Sequence, residues 1–256
     1  MTKLSVNLNK LALLRNQRDV GYPDLTDHAK LVLEAGAQGL TIHPRPDERH
    51  IRFSDIDVIS NFIHDWNTKN GTNIEYNIEG YPSEDFIERV LTVRPDQVTL
   101  VPDTPEQNTS DHGWNMFTQA DFLKPIIKKF KSKDIRVSLF LDPNPQDVQN
   151  CAKVGTDRIE LYTGPYANKE IDIEQYVRTA EAATEAGLEI NAGHDLSLDN
   201  LGIFISKIPS CAEVSIGHAI TADALKLGWH GAITAYLTAI EFGQKNAKDA
   251  KKSDAA

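Results

Sequence analysis

Strand and helix signals alternate along all 256 residues, which predicts an α/β fold, a single (β/α)8 TIM barrel with extra short helices. Three observations carry this reading. Eight short apolar or alternating runs are each followed by an amphipathic helical stretch. Three segments share one pattern of helix end, glycine, short turn and strand: they run through Gly36 to His43, Gly155 to Tyr162 and Gly187 to Asn191. The first strand is followed by Asn9-Lys10-Leu11-Ala12, without the glycine-rich turn usual in the rival fold, an open doubly wound sheet. Right-handed crossovers between eight parallel strands can close into a barrel.

The elements follow in order. Residues 4–8 alternate as a short strand, and after a polar loop at Gly21-Tyr22-Pro23-Asp24 a helix covers 25–35. Leu40-Thr41-Ile42 is the second strand; Pro44 and Pro46 end it because proline offers no N–H to a ladder. Ser54 caps a helix to residue 66, with Ile56, Ile59 and Ile63 on one face. Residues 73–78 form the third strand, and Ser83 opens the next helix with Glu84 and Asp85 in its first turn. The fourth strand, 97–101, leads into a long polar loop over 102–115, then a helix at 121–131 and the fifth strand at 135–141. Asn144 begins a helix ending at Gly155, and 158–162 is the sixth strand. A helix over 171–186, a strand over 188–191, a helix over 199–208 and a strand over 214–216 complete the pattern. A last helix over 221–242 ends the barrel domain, 1–243, and a polar tail, 244–256, is expected to fray.

Bulk composition narrows the function. A net charge of −10 argues against nucleic acid as a partner and makes any local basic cluster stand out. Two cysteines, Cys151 and Cys211, do not make a disulfide framework, and residues 1–18 lack the apolar core of a secretory signal. No run is long enough to span a membrane, so a cytoplasmic enzyme with no membrane partner is expected.

In such a barrel the active site lies at the C-terminal strand ends. The second strand ends in His43, Arg45, Arg49 and His50, an anion site beside an acid/base group. Strand one delivers Asn7, Asn9 and Lys10; strand three, Glu75; strand six, Glu160 and Tyr162; strand seven, Asn191 with Gly193-His194; strand eight, Gly217-His218. Glu75, flanked by Ile74 and Tyr76, reads as a carboxylate in dry surroundings that can serve as base and then acid, with His43 one strand away. Its structural alternative is a simple ion pair with Arg45. The two Gly-His pairs fit a phosphate site made by backbone N–H groups after strands seven and eight. Histidines 43, 50, 194 and 218 with Glu75 also suggest a divalent metal, but no His-x-His or His-x-x-x-His spacing supports one.

These residues resemble the pyridoxine 5′-phosphate synthase family, cofactor-independent barrel enzymes of vitamin B6 synthesis. The matching pieces run in order through nearly the whole chain: Val6-Asn7-Leu8 with Leu14-Arg15-Asn16-Gln17-Arg18, His43-Pro44-Arg45 with Arg49-His50-Ile51, and Asn73-Ile74-Glu75. They continue with Leu100-Val101-Pro102, Val137-Ser138-Leu139-Phe140, Glu160 with Tyr162-Thr163-Gly164, Asn191-Ala192-Gly193-His194 and Ile216-Gly217-His218. The resemblance implies condensation of 3-amino-2-oxopropyl phosphate with 1-deoxy-D-xylulose 5-phosphate, without metal or cofactor. It implies His43 and Glu75 as proton acceptors and His194 as proton donor. Asn7, Asp195, Gly217 and His218 would bind the aminoketone phosphate; Asn9, Lys10, Arg45, His50 and Thr109 would bind the sugar phosphate. Glu160 is a possible additional site residue. Arg18 would come from a neighbouring subunit of a homo-octamer. The chain departs from the family pattern at Asn9-Lys10, where Asp-His is commoner, and at Asp195, where glycine is expected. A metal-dependent phosphosugar aldolase or epimerase, and a binding protein without chemistry, are the competing readings.

Overall fold

A computed structural model describes residues 1–104, 107 and 109–254. β1 (Lys3–Asn7) is followed by α1 (Asn9–Asn16) and α2 (Leu25–Glu34), and β2 (Gly39–Ile42) by α3 (Phe53–Asn70). Next come β3 (Glu75–Gly80), α4 (Glu84–Val93), β4 (Gln97–Leu100), α5 (Ala120–Lys131), β5 (Arg136–Leu141) and α6 (Pro145–Val154). β6 (Arg158–Tyr162) precedes the short α7 (Gly164–Ala167) and α8 (Ile173–Glu185). β7 (Glu189–Gly193), α9 (Leu201–Lys207), β8 (Cys211–Ile216) and α10 (His218–Asp254) complete the described elements. Each strand pairs in parallel with the next, and β8 pairs with β1, so the sheet is a closed eight-stranded barrel. The expected fold class is therefore the observed one. Among the described residues, no helix is long and apolar enough to cross a membrane.

Period-two alternation sorts the strand residues between two environments. Leu4, Val6, Leu40, Ile42, Ile78, Val98, Leu139 and Leu161 are fully buried in the continuous apolar core that includes the helices' inner faces. The other face of each strand lines the barrel interior and is polar. Hydrogen bonds between non-adjacent strands locate it: Asn7 to Glu79, and Thr99 to Glu160. Bulky aliphatic side chains fill most barrels of this kind; here Ser5, Thr41, Asn77, Thr99, Ser138 and Asn191 occupy the middle instead, all buried.

Three local features differ from the sequence reading. β3 begins at Glu75 rather than residue 73, because Asn67 claims the preceding residue: its Oδ1 accepts from the Ile74 N–H at 2.7 Å and its Nδ2 donates to the Ile74 carbonyl at 3.1 Å. Residues 9–16 are helical, so Asn9 and Lys10 open α1 rather than extend β1. The last helix starts at His218, breaks its regular backbone at Gly228, and continues through the expected frayed tail to Asp254. Gln244 in that stretch donates to the Thr2 hydroxyl at 2.9 Å, and Ala247 is buried.

The register of β3 moves Glu75 to the N-terminal end of the barrel, where Gly39 pairs with it. There it forms ion pairs with Arg136, with Arg158 at 3.5 Å and with Lys3 at 3.6 Å. Burial works to raise its pKa, but the two guanidiniums and the ammonium outweigh it and hold the carboxyl below its usual range. Beside this cluster, Glu213 is 1% exposed, and its Oε2 has no hydrogen-bond partner among the described residues. Burial, reinforced by the charge of Glu75, pushes Glu213 up to about 8.

The folded protein thus holds a proton on Glu213 that the unfolded chain, with an ordinary value of 4.5, releases. The resulting stability is complete below that value and is lost as pH rises through about 8. Glu213→Gln removes the titration. Its stability relative to the parent is expected to improve by on the order of 1–3 kcal/mol between pH 5 and pH 9, read from urea midpoints at the two pH values. An offset between the two chains that does not change with pH would show that Glu213 does not titrate in this window.

Candidate active site

A cleft of about 340 Å³ opens at the C-terminal ends of the strands. Asn7, His43, Glu79, Glu160, His194 and His218 line it, with a loop residue, Thr109, at its edge. Asn9, Lys10, Arg45, His50, Asp195 and Gly217 also reach it. Twelve of the fourteen sequence-derived candidates therefore meet in one place. Glu75 and Arg18 do not. Glu75 lies four residues before the mouth on its strand, roughly 13 Å away at about 3.3 Å per residue. Arg18 is exposed just beyond α1.

The carboxylate at the mouth is Glu79. Its neighbourhood repeats the motif assigned to Glu75: Asn73-Ile74-Glu75 and Asn77-Ile78-Glu79 are two copies of one tripeptide. Both glutamates face the barrel interior, but only the second sits at its C-terminal end. Glu79 Oε2 accepts from Asn7 Nδ2 at 3.3 Å and lies 3.9 Å from His43 Nδ1. Burial, with repulsion from Glu160 and Asp103, pushes its pKa well above the usual range, against a hydrogen bond from Ser215. Glu160, 3% exposed, is pushed up to about 7 by burial. Gly193 makes room for it, since a Cβ there would stand 2.4 Å from Glu160 Oε1.

The three histidines are tuned the other way. Burial, and then the guanidiniums of Arg45 and Arg49, hold His43 well below its usual value, so its imidazole is neutral at pH 7. Its backbone N–H donates to Asn9 Oδ1 at 2.9 Å, a contact that an aspartate at this position would also make. Burial, helped by Arg45 and Lys10, lowers His50 to about 4. Nδ1 of this neutral ring accepts from the Ile51 N–H at 2.9 Å, which leaves the Nε2 as its donor. His194 is lowered by burial, although Asp195 and Asp103 oppose that; its Nε2 is 3.3 Å from Thr109 Oγ1.

Arg45 is only 4% exposed. It pairs with Asp103 and donates from Nη1 to the Gln107 carbonyl at 2.9 Å. Asp103 also accepts from the Ser110 hydroxyl at 2.7 Å, so the loop after β4 is fastened to the guanidinium. The expected alternative partner of Arg45, Glu75, is at the other end of the barrel. Arg49 bonds its neighbour Asp47 and the same Gln107 carbonyl, as a solvated pair would. On the opposite side, Gly217 packs where a Cβ would meet Asn7 Cβ at 3.1 Å, and His218 begins α10. Asp195 has φ 57°, a left-handed backbone that favours glycine, and this accounts for the glycine expected there; aspartate tolerates the region better than most residues.

Sequence reasoning missed Glu79, Asp103, Ser110 and Ser215. Only Glu79 had a visible signal, the duplicated tripeptide. The others depend on loop conformation and strand facing. Among the described residues, no three His, Cys, Asp or Glu side chains are grouped to hold a metal ion.

Comparison with known proteins gives the family. The family described as "Pyridoxal phosphate biosynthesis protein PdxJ" matches residues 4–242. A pyridoxine 5′-phosphate synthase of Brucella anthropi is 50% identical over 247 residues, covering 93% of this chain and 98% of the relative. One from Brucella abortus is 49% identical over 245 residues, with the same coverage. Among solved structures, the tryptophan synthase alpha chain of Legionella pneumophila superposes with a TM-score of 0.64 at 12% identity, covering 94% of this chain and 92% of that one. Phosphoribosyl anthranilate isomerase of Thermotoga maritima gives 0.59 at 14%, covering 97% and 100%. At these identities the two structures share the barrel alone. Taken with the family match and the relatives near half identity, the site belongs to an enzyme of vitamin B6 biosynthesis, and the chain belongs to the PdxJ family, the pyridoxine 5′-phosphate synthases.

Proposed function

We propose that the chain condenses 3-amino-2-oxopropyl phosphate with 1-deoxy-D-xylulose 5-phosphate, closing the pyridine ring and releasing phosphate and water by general acid/base catalysis. The observation that carries this reading is the Glu79–His43 pair at the mouth of the cleft, 3.9 Å apart, with the carboxyl biased to its acid form and the imidazole to its free base. Imine formation, enolisation and dehydration each need a proton given and a proton taken, and such a pair offers both. Glu79 replaces Glu75 in this role.

Two anion sites flank the pair. Arg45 and the Nε2 donor of His50 receive the sugar phosphate, with Lys10 adding a cation at the cleft wall. The start of α10 at His218, with Gly217 before it, presents backbone N–H groups to the aminoketone phosphate. A dianion bound there raises the pKa of nearby His194, so that binding charges the proton donor. Glu160, poised near neutrality, is the second carboxyl facing cationic intermediates. Exposed Arg18 completes the site of a neighbouring copy in a ring-like octamer.

Incubating the chain with the two phosphorylated substrates is expected to yield pyridoxine 5′-phosphate, detected by its absorbance, in chelator-treated enzyme. Activity restored only by a divalent ion would favour the aldolase or epimerase reading, and binding without turnover the non-catalytic one. Mixing inactive Arg18→Ala chains with inactive Glu79→Gln chains is expected to recover part of the activity. No recovery despite subunit exchange would remove Arg18 from a shared site.

A further inference from the structure

Two consecutive non-glycine residues at the mouth, His194 and Asp195, hold φ of 87° and 57°. Left-handed backbone is unfavourable for an ordinary residue, so neighbouring groups must hold it in place. The structure shows what does so. Thr163, 0% exposed, donates its hydroxyl proton to the Gly193 carbonyl, with Oγ1 at 2.7 Å, and to the His194 carbonyl, which shares the same proton. Its own N–H donates to the Gly193 carbonyl at 2.9 Å. Thr163 is fixed from behind, where its carbonyl accepts from the Ala167 N–H at 3.0 Å in the turn of α7.

This arrangement dictates where two N–H groups point. Both peptide bonds are trans, and in a trans peptide the N–H lies opposite the C=O. The Gly193 and His194 carbonyls converge on Thr163, so the His194 and Asp195 N–H groups face away from it, toward the cleft that both residues line. Neither N–H is taken up by a hydrogen bond among the described residues. Successive N–H groups with a left-handed residue between them form an anion cradle. The same carbonyl anchoring aims the His194 ring, which stands edge-on to Tyr162 with centroids 5.3 Å apart.

We propose that Thr163 is a positioning residue: its one hydroxyl sets both the imidazole of His194 and the paired N–H groups that cradle the aminoketone phosphate. This rests on the reading that a phosphate binds beside residue 195, and its test is independent of the reaction. Thr163→Val keeps the shape and deletes the hydroxyl; Thr163→Ser keeps the hydroxyl. Inorganic phosphate binding is measured by calorimetry in an Arg45→Gln background, which disables the other anion site. Thr163→Val is expected to weaken phosphate about tenfold, the scale of one lost hydrogen bond, with Thr163→Ser within about threefold of its parent. In the otherwise native enzyme, Thr163→Val raises KM for the aminoketone phosphate more than KM for the sugar phosphate and lowers kcat, and the serine chain is rescued on both counts. A valine chain that melts lower yet binds phosphate like its parent overturns the proposal, as does a serine chain as weak as valine. If valine does not fold, Thr163→Ala is compared with serine in the same way. Failure of the condensation assay in the parent enzyme would sink the proposed reaction, while the phosphate titration still decides the role of Thr163.

Discussion

Glu79→Gln is expected to lower kcat by roughly two to four orders of magnitude with the fold intact, whereas Glu75→Gln lowers stability and leaves the chemistry nearly unchanged. The two glutamates share a strand and a face, and both are largely buried, so burial does not separate them. Their partners do. Glu79 faces Asn7, His43 and Ser215 in a cleft, and its acid form is favoured. An amide keeps its shape but can neither take up nor release that proton. Glu75 is held ionised by Arg136, Arg158 and Lys3, and neutralising it removes a counter-charge from the buried Arg158 guanidinium. Breaking a buried ion pair from one side costs about 3–5 kcal/mol. The contribution of Glu75 also has its own pH window: its folded pKa is depressed, so the stability is present above its ordinary 4.5 and is lost as pH falls through the lower folded value. Steady-state kinetics and urea unfolding on the two variants separate the roles. Turnover within tenfold of the parent in Glu79→Gln, or a loss in Glu75→Gln equal to that in Glu79→Gln at temperatures where both are folded, would falsify the assignment.

The error over Glu75 marks the limit of what the chain reveals by itself. Barrel class, strand order and most strand ends were legible because apolar alternation and glycine stops are local signals. Most of the twelve candidates reach the cleft for the same reason: they lie at or just after a strand end that the sequence announces, with His50 and Thr109 farther along the loops. The register of β3 was not local. It is set by Asn67, seven residues earlier, whose amide binds both backbone groups of Ile74 and delays the strand by two residues. With two Asn-Ile-Glu copies spaced by four, nothing in either copy says which reaches the mouth. Helix α1 was hidden by a different cause, since its N-cap residue, Leu8, has no side chain that can cap it; its start is fixed by Asn7 Oδ1 accepting from the Asn9 N–H at 2.9 Å, a contact that exists only once β1 has placed Asn7. Asp103 illustrates a third case. An aspartate in a polar loop reads as solvated, and only the folded loop buries it against Arg45 and Ser110. Burial then raises its pKa against the pull of both partners.

Arg15→Ala is expected to destabilise the protein by about 3–5 kcal/mol and, through His50, to weaken sugar-phosphate binding more than turnover. Arg15 sits in the Leu14-Arg15-Asn16 stretch of the family resemblance, yet its own side chain does not line the cleft. Its guanidinium grips Asp55 at the start of α3 with two parallel bonds of 2.7 and 2.8 Å, and both side chains are about nine-tenths buried. Nη2 also donates to the His50 carbonyl at 3.2 Å, and Asn16 Nδ2 donates to the same oxygen at 2.8 Å. Asp55 Oδ2 in turn accepts from the Arg52 N–H at 2.7 Å. The turn that presents His50 is thus pinned to α1 on one side and capped onto α3 on the other. Alanine at 15 leaves the Asp55 charge buried without its partner and frees the His50 carbonyl. For a chain of this size the cost corresponds to a fall in Tm of about 6–20 °C. Because Asp55 without its partner is the source of most of that loss, Arg15→Ala/Asp55→Ala should be less destabilised than the sum of the single variants, by about 1–3 kcal/mol in a double-mutant cycle. KM for 1-deoxy-D-xylulose 5-phosphate should rise severalfold more than kcat falls, since Glu79, His43 and His194 are held by other contacts. A loss of under about 1 kcal/mol, or additive single effects, would mean that the pair contributes no more than a solvated one. Equal changes in both KM values would disconnect the turn from the sugar-phosphate site.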